Sequence, residues 1–403
     1  MATQLRPSAA PDRHADPHAN PLDAMSLPGW LYHDEEFLVA ERRAFLRAAP
    51  QVVCHVSDIA EPGAWRRLDA LGESVIVMRG DDGLVRAFAN VCRHRGSRLV
   101  DDEGGCVARL TCPYHAWSYG RDGRLVGVPN RGEYPGLDAD QLGLIPVGIE
   151  IWHGFVFVTL EPGAPSVAEM MNPYEAEVAP YRFEELRAIG RVTLRPRALN
   201  WKTIADNYSD GLHIPVGHPG LTRLFGRSYA IEASEWVDRM EGDLRDTPSA
   251  NVSERAYQAL LPEVAHLPAS HRRKWLYYKL FPNVAFDIYP DQVDFMQFLP
   301  VSATETVIRE ISYALPDVFV AEDRRREMKA ARYLNWRINR RVNEEDTVLI
   351  ARVQDGMGSP NYIAGPLGTS EVCLRSFAQK LRRLIPEARL ERAPPPGWSQ
   401  RGN

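Results

Sequence analysis

Long apolar runs are missing from this chain. A membrane-spanning helix needs about 18 or more consecutive apolar residues. The best stretch, Val147 to Leu160, is interrupted by Glu150 and His153 and alternates as a strand does. Met1 to Asn20 holds no apolar block, and Asp12 and Asp16 do not suit a transit peptide. Cysteine is scarce, five in 403 residues, which excludes a disulfide framework. Neither sign of charge dominates: the formal net charge is −5, so nothing calls for nucleic acid or an anionic membrane. There is no Gly-x-Gly-x-x-Gly fingerprint and no Cys-x4-Cys-x2-Cys run, so the chain is not expected to be its own reductase. What remains is an ordinary globular composition, 44% hydrophobic and 25% charged, long enough for two or three cores.

Two of the five cysteines are paired with histidines. The stretch from Val91 to Gly120 contains Cys92-x-His94 and Cys112-x-x-His115. Two thiolates and two imidazoles can close a zinc site or hold a two-iron cluster. The order favours the cluster: a Rieske centre takes two Cys on one iron and two His on the other, so each loop gives one of each. A zinc finger more often gives both Cys from one loop and both His from a helix, and His94-Arg95-Gly96-Ser97 is no helix start. Pro113 suits a tight turn whose backbone amides point at the Cys112 sulfur. Trp117 is expected to shield the cluster from water. Cys54, Cys106 and Cys373 read as small core residues.

This segment resembles the cluster motif of the Rieske non-haem iron ring-hydroxylating oxygenases, catalytic (alpha) subunit. The resemblance extends over roughly residues 27–385, because a second metal motif lies downstream. It is Asp206-x3-Asp210-x2-His213-x4-His218, preceded by Asn200-Trp201-Lys202. Two histidines and a carboxylate form the facial triad of a mononuclear non-haem iron and leave positions open for dioxygen. Asp210 and His213 are three apart, one helix face, and Pro215 is expected to end regular helix so that His218 returns on a loop. In the family pattern His213 and His218 fall on the iron ligands and Asp210 on the residue linking the two metal centres. Asp206 falls on an acidic position whose alternative is a helix-structuring carboxylate.

The third iron ligand is read from helical phase. On a helix from Val342 to Gly358, Asp346 falls in the middle of an apolar stripe, while Asp355 and Glu344 fall opposite. A carboxylate among apolar residues needs a cation, and the iron supplies one. The alternative is a helix cap.

The expected fold class is α+β. Residues 1–24 read as a disordered tail and 25–47 as an N-terminal arm that the resemblance places on the catalytic domain, an independent helix being the alternative. Residues 48–162 read as a small antiparallel β domain carrying the [2Fe-2S] Rieske cluster, and 163–390 as the catalytic mononuclear iron domain. Residues 391–403 read as a flexible tail. Met170 to Tyr181 reads as helix and Arg187 to Leu199 as strand. The aromatic run Lys274 to Leu299 and the strand Val307 to Leu315 read as an antiparallel sheet over a long helix, which resembles the family's helix-grip domain. Val320 to Val342 and Asn343 to Gly358 read as two helices, and Leu374 to Leu384 as another. Phe281, Phe286, Phe295 and Phe298 line a pocket or fill a core. Arg93, Arg95 and Arg98 form a docking face for an acidic electron carrier or pair with Asp101, Asp102 and Glu103.

The resemblance implies an enzyme using dioxygen and electrons from NAD(P)H through a separate ferredoxin or flavin reductase. It would hydroxylate, as a monooxygenase or dioxygenase, or demethylate a small organic molecule, an aromatic one by first reading. It implies a homotrimer in which the cluster of one subunit serves the iron of its neighbour. A quaternary amine is the alternative substrate, with Tyr208, Trp275, Tyr277 and Tyr278 as a candidate aromatic cage. Asp210, where members acting on such amines often carry Glu, weighs mildly for the aromatic. A Rieske electron-transfer protein is the remaining alternative, and it would have no use for His213 and His218. A labile cluster favours the reducing cytoplasm.

Overall fold

A computed structural model describes residues 21–261 and 266–400. Of the disordered tail expected over residues 1–24, residues 1–20 lie outside the described residues; Pro21–Ala24 forms a 3-10 turn, with Leu22 O accepting from the Arg382 guanidinium. Among the described residues no helix is long and apolar enough to cross a membrane.

The cluster-bearing part is built from three small antiparallel sheets. One joins Gln51–His55, Phe155–Thr159 and Gly148–Trp152; a second joins Val85–Ala89, Glu73–Arg79, Ala64–Ala70 and Gly104–Cys106. The third, Leu110–Thr111 with Ser118–Tyr119 and Leu125–Gly127, carries the second Cys/His loop. Cys54 and Cys373 are buried as expected, but Cys106 is exposed at a sheet edge.

The catalytic part is an eight-stranded antiparallel sheet. Its order is Arg187–Ala188, Glu305–Ala314, Val293–Ser302, Val284–Ile288, Lys274–Leu280, Val237–Asp243 and Ala230–Ala233, with Thr193–Arg197 also paired to Glu305–Ala314. The expected single strand from Arg187 to Leu199 is therefore two short ones, interrupted around Gly190. The expected helix from Met170 to Tyr181 is likewise broken into Val167–Met171 and Glu175–Val178 with 3-10 turns, because Pro173 and Pro180 lack the N–H that a continuous helix needs. In the opposite sense, the two helices expected after Val320 are one, Arg325–Met357, 33 residues long. It runs unbroken because no Gly or Pro falls inside it before Gly356. Its buried residues include Ala331, Ile338 and Ile350, and it shares a core with Trp275, Tyr289 and Tyr257.

The arm lies on the catalytic part. Helix Glu35–Glu41 presents Phe37 and Leu38 to the core, and Glu41 forms an ion pair of 2.8 Å with Lys202, both fully buried. Within the flexible tail expected over residues 391–403, residues 397–399 are held in place. Trp398 packs against Trp30 and Phe37, and Glu36 accepts hydrogen bonds from the Gly397 and Ser399 amides. A proline-rich segment lacks regular structure of its own, yet one tryptophan and two backbone donors suffice to seat it.

Candidate metal centres and cavity

The first pair of loops brings Cys92, His94, Cys112 and His115 together. Both sulfurs are buried at 2% exposure, and the two imidazole rings lie 4.6 Å apart. Burial pushes the Cys112 thiol up, but the Tyr114 and His115 amides aimed at the sulfur win and hold it below its ordinary value. Burial, His94 and Arg95 keep the His115 pKa low. His94 Nδ1 is buried with no partner, so a donor atom waits beside two thiols. These residues fit a two-iron cluster with one Cys and one His from each loop. Trp117 stacks on His94 at 4.7 Å, nearly parallel. The Tyr119 hydroxyl lies 3.3 Å from Cys92 Sγ. Among the flanking arginines, Arg98 reaches Asp69 and Arg95 lies over the Tyr114 ring, so neither uses the local carboxylates expected for them.

The second site is positioned by helix Trp201–Ser209 and the long helix. Asn200 caps the shorter helix by accepting from the Lys202 amide, and its own amide donates to Ala303 O at 2.6 Å. The helix stops at Ser209, so Asp210 is not on a helix face with His213. Asp210 is extended and accepts from the Leu212 amide at 2.8 Å, a turn that competes with helix. The same carboxylate still meets His213 Nδ1 at 2.9 Å. Pro215 does not end a helix but occupies the first turn of Ile214–Gly217, where its missing N–H costs nothing. Gly217 lets this loop lie on the long helix: a Cβ there would come within 2.7 Å of Leu349 Cδ1.

Donor atoms of His213, His218 and Asp346 all lie within 4.8 Å of one another. His218 Nε2 is 3.0 Å and His213 Nε2 3.6 Å from Asp346 Oδ1. Burial opposes ionisation of Asp346, but hydrogen bonds from His213, His218 and Asn207 hold its carboxyl down at about 2. His213 also loses to burial and gains from Asp210 and then Asp346, which raise it to about 9. Two imidazoles and a carboxylate converging on one point fit a divalent non-haem iron.

Two supporting residues escaped the sequence. Glu345 accepts from His218 Nδ1 at 3.0 Å, and Asn207 donates to Asp346 Oδ1 at 2.7 Å. With Asp210 on His213, each imidazole has a carboxylate on its far nitrogen, which fixes tautomer and ring orientation. The signal for Glu345 is its adjacency to Asp346 on the same helix. Asp206 accepts from the Tyr32 hydroxyl at 2.7 Å, and burial, only partly offset by Tyr32, Lys279 and Lys202, pushes it up to about 6.

The triad opens into a cavity of about 140 Å³. Tyr208, Tyr229, Tyr277, Tyr289, Met296 and Phe298 line it. Phe281, Phe286 and Phe295 are core residues. Of the expected aromatic cage, Tyr208 and Tyr277 are present. Trp275 and Tyr278 are not, and Tyr278 faces Arg239 and Glu177 across the sheet. Tyr229 and Tyr289 replace them.

Residues 183–387 match the family model for the ring hydroxylating alpha subunit (catalytic domain), and residues 49–142 match the Rieske [2Fe-2S] domain. The chain belongs to the Rieske ring-hydroxylating oxygenase family. Its cofactors are accordingly a [2Fe-2S] cluster and a mononuclear iron. The carnitine monooxygenase oxygenase subunit of Escherichia coli is 36% identical over 206 residues, 51% of this chain and 55% of that relative, so the match spans about half of that relative's length. The Acinetobacter pittii protein of the same name is 28% identical over 349 residues, 85% of this chain and 88% of its own length. The glycine betaine monooxygenase oxygenase subunit of Pseudomonas aeruginosa is 33% identical over 202 residues, 50% of this chain and 46% of that relative. The solved structure of a quaternary ammonium Rieske monooxygenase superposes with a TM-score of 0.74 at 23% identity, covering 89% of this chain and 95% of that one. Naphthalene 1,2-dioxygenase from Rhodococcus sp. bound to indole follows at 0.70 and 21%, covering 90% and 94%. Likeness at this level of identity carries the fold and no substrate.

Proposed function

We propose that this chain is the oxygenase component of a multi-protein system, acting on a small amine cation with dioxygen and electrons relayed from NAD(P)H by a separate reductase. The observation that carries the reading is the His213–His218–Asp346 triad opening into a cavity lined by four tyrosines. Aromatic faces attract cations and need no hydrogen from them. A cavity of ~150 Å³ takes a benzene-sized guest, so the 140 Å³ beside the triad has room for a small alkylammonium. The named relatives act on carnitine and glycine betaine, which moves the balance from the aromatic substrate first expected to the amine.

Bound iron supplies dioxygen activation, and the two-iron cluster supplies the electrons. The chain's own residues hold that chemistry in place. Asp210 and Glu345 accept the outer N–H of His213 and His218, so the inner nitrogens face the metal position as neutral donors. Asn207 orients Asp346. The tyrosine rings hold the substrate's alkyl groups and exclude water. The solved quaternary ammonium Rieske monooxygenase is described as giving insight into inter-subunit electron transfer, which supports the reading that electrons cross from the cluster of one copy to Asp210 of the next within a homotrimer.

The test is oxygen uptake scored with product formation, using a generic reductase and a panel of betaines, phenol ethers and aromatic acids. Uptake coupled to an amine, with three irons per chain, is the expected result. Two irons per chain and no oxygenated product would mark an electron carrier; turnover of aromatic acids alone would restore the first expectation.

A further inference from the structure

Among the described residues, two carboxylates in the catalytic cavity have no basic partner. Asp287 on strand Val284–Ile288 and Asp294 on strand Val293–Ser302 are direct cross-strand neighbours, so both point to the same face of the sheet. Like charges so placed destabilise a sheet unless something offsets them. Both line the cavity that the metal triad opens into. Their hydrogen bonds come from neutral groups: Tyr208 and Tyr289 hydroxyls donate to Asp287 at 2.5 and 3.2 Å, and Gln292 Nε2 donates to both oxygens of Asp294 at 3.0 Å. Arg197 lines the same cavity, but it and Arg195, on strand Thr193–Arg197 beyond Glu305–Ala314, act on Glu310 instead. Burial raises Asp287 to about 7 and, with Asp287 and Glu310 beside it, Asp294 to about 8. The pair thus holds at least one proton near neutral pH and carries at most about one negative charge.

We propose that Asp287 and Asp294 are the specificity-determining residues of the catalytic cavity and select a singly charged, quaternary ammonium group by charge. The hydrogen-bonding positions of the pair are already served by tyrosine hydroxyls and an amide. What is missing is positive charge rather than a donor, and a trimethylammonium supplies that without N–H. Tyr277 and Tyr229 line the same cavity with their rings 6.2 Å apart, which offers aromatic faces to methyl groups. With at most about one negative charge, the pair matches a monocation and disfavours a neutral molecule of the same shape, for which burying the charge gains nothing. The same logic makes the pair costly without ligand, a trade of stability for recognition.

The inference rests on the amine reading above and is tested separately from it by binding to the full-length, metal-loaded protein without reductase. Calorimetry compares choline and tetramethylammonium with 3,3-dimethyl-1-butanol, in which carbon replaces the charged nitrogen of choline. The expected result is at least about tenfold tighter binding of choline than of the alcohol. In Asp294→Asn, and in Asp287→Asn, that ratio should fall to within about twofold with the alcohol's affinity unchanged. Both variants should also unfold at a higher temperature than the parent, because an uncompensated charge has been removed. Equal binding of choline and the alcohol by the parent protein, or no cation binding at all, overturns the inference. So does a full ratio retained by both Asn variants, although oxygenation of an amine by them would leave the amine reading standing. A variant that fails to fold or melts lower makes the pair structural and likewise overturns it. An N–H-bearing ammonium such as trimethylammonium binding tenfold tighter than tetramethylammonium overturns the quaternary assignment.

Discussion

Asp346 and Glu345 are sequence neighbours with different tasks. Asp346 aims an oxygen at the point where the two imidazoles converge, whereas Glu345 reaches the outer nitrogen of His218. Removing a ligand and removing its supporter should therefore differ in degree. Asp346→Ala is expected to lose the mononuclear iron outright and leave the Rieske absorption unchanged, with iron per chain falling from three to two. Glu345→Gln should keep the site but weaken it by about 10–100-fold, the usual cost of a lost outer-sphere partner. Competition with a chelator measures both. An Asp346→Ala protein that retains three irons would send the ligand search to Asp355. Asp210→Ala, by the same geometry, should weaken the iron site to a similar degree yet leave both metals bound when iron is saturating, while oxidation of a pre-reduced cluster slows sharply. Rapid mixing with dioxygen reads that directly, and an unchanged rate would remove Asp210 from the route between centres.

At the scale of elements, helix Trp201–Ser209 is the part everything leans on. Its inner end carries Asn207 and leads into Asp210, and its outer end is tied to the N-terminal arm by the Glu41–Lys202 pair. Burial pushes Glu41 up and Lys202 down, yet the two sit 2.8 Å apart with the Trp201 indole donating to Glu41 at 3.0 Å. A buried pair is a weak source of stability but dangerous to halve. Glu41→Ala, which strands Lys202, should cost about 3–5 kcal/mol. Glu41→Met with Lys202→Met should recover most of that loss. Denaturant unfolding of the three proteins decides the matter; a single mutant as stable as its parent would mean that the arm does not anchor this helix.

For the whole molecule, the join between the cluster-bearing part and the catalytic part contains one titrating clamp. His153, at the tight turn between strands Gly148–Trp152 and Phe155–Thr159, contacts Glu175 at 2.7 Å and also hydrogen-bonds Glu184. Burial lowers its pKa, but Glu184 and then Glu175 more than offset this and raise it. A raised histidine contributes stability that is complete below its unfolded value of about 6.5 and lost as pH rises through its folded value. The melting temperature of the parent should exceed that of His153→Gln at pH 6, and the gap should close as the solution becomes alkaline. The partners are about half exposed, so the gap should be small and shrink with salt. A gap that widens with pH would rule out a charged His153.

Much of the chemistry of this protein was local and so legible in one dimension. Cys92, His94, Cys112 and His115 are set by two short loops, and His213 and His218 by a five-residue step. Asp346 could be placed because helical phase is a local property, and the phase held even though the helix proved to be one of 33 residues. Other features depended on which distant segments meet. The turn at Asp210 arises because its carboxylate competes with the helix for backbone amides. Residues 397–399 are seated because Trp398 finds Trp30 and Phe37 from the other end of the sequence. Aromatic residues in strands could not be sorted into core and cavity by alternation alone, since both faces of the catalytic sheet are covered. Register decided it: pairing Asp287 with Asp294 and with Tyr277 put three polar groups on one face beside the metal position. Sequence spacing thus determined the donors and their chemistry, whereas only the packed sheet decided what lines the cavity, because side chains from separate strands become neighbours only when register and twist are fixed.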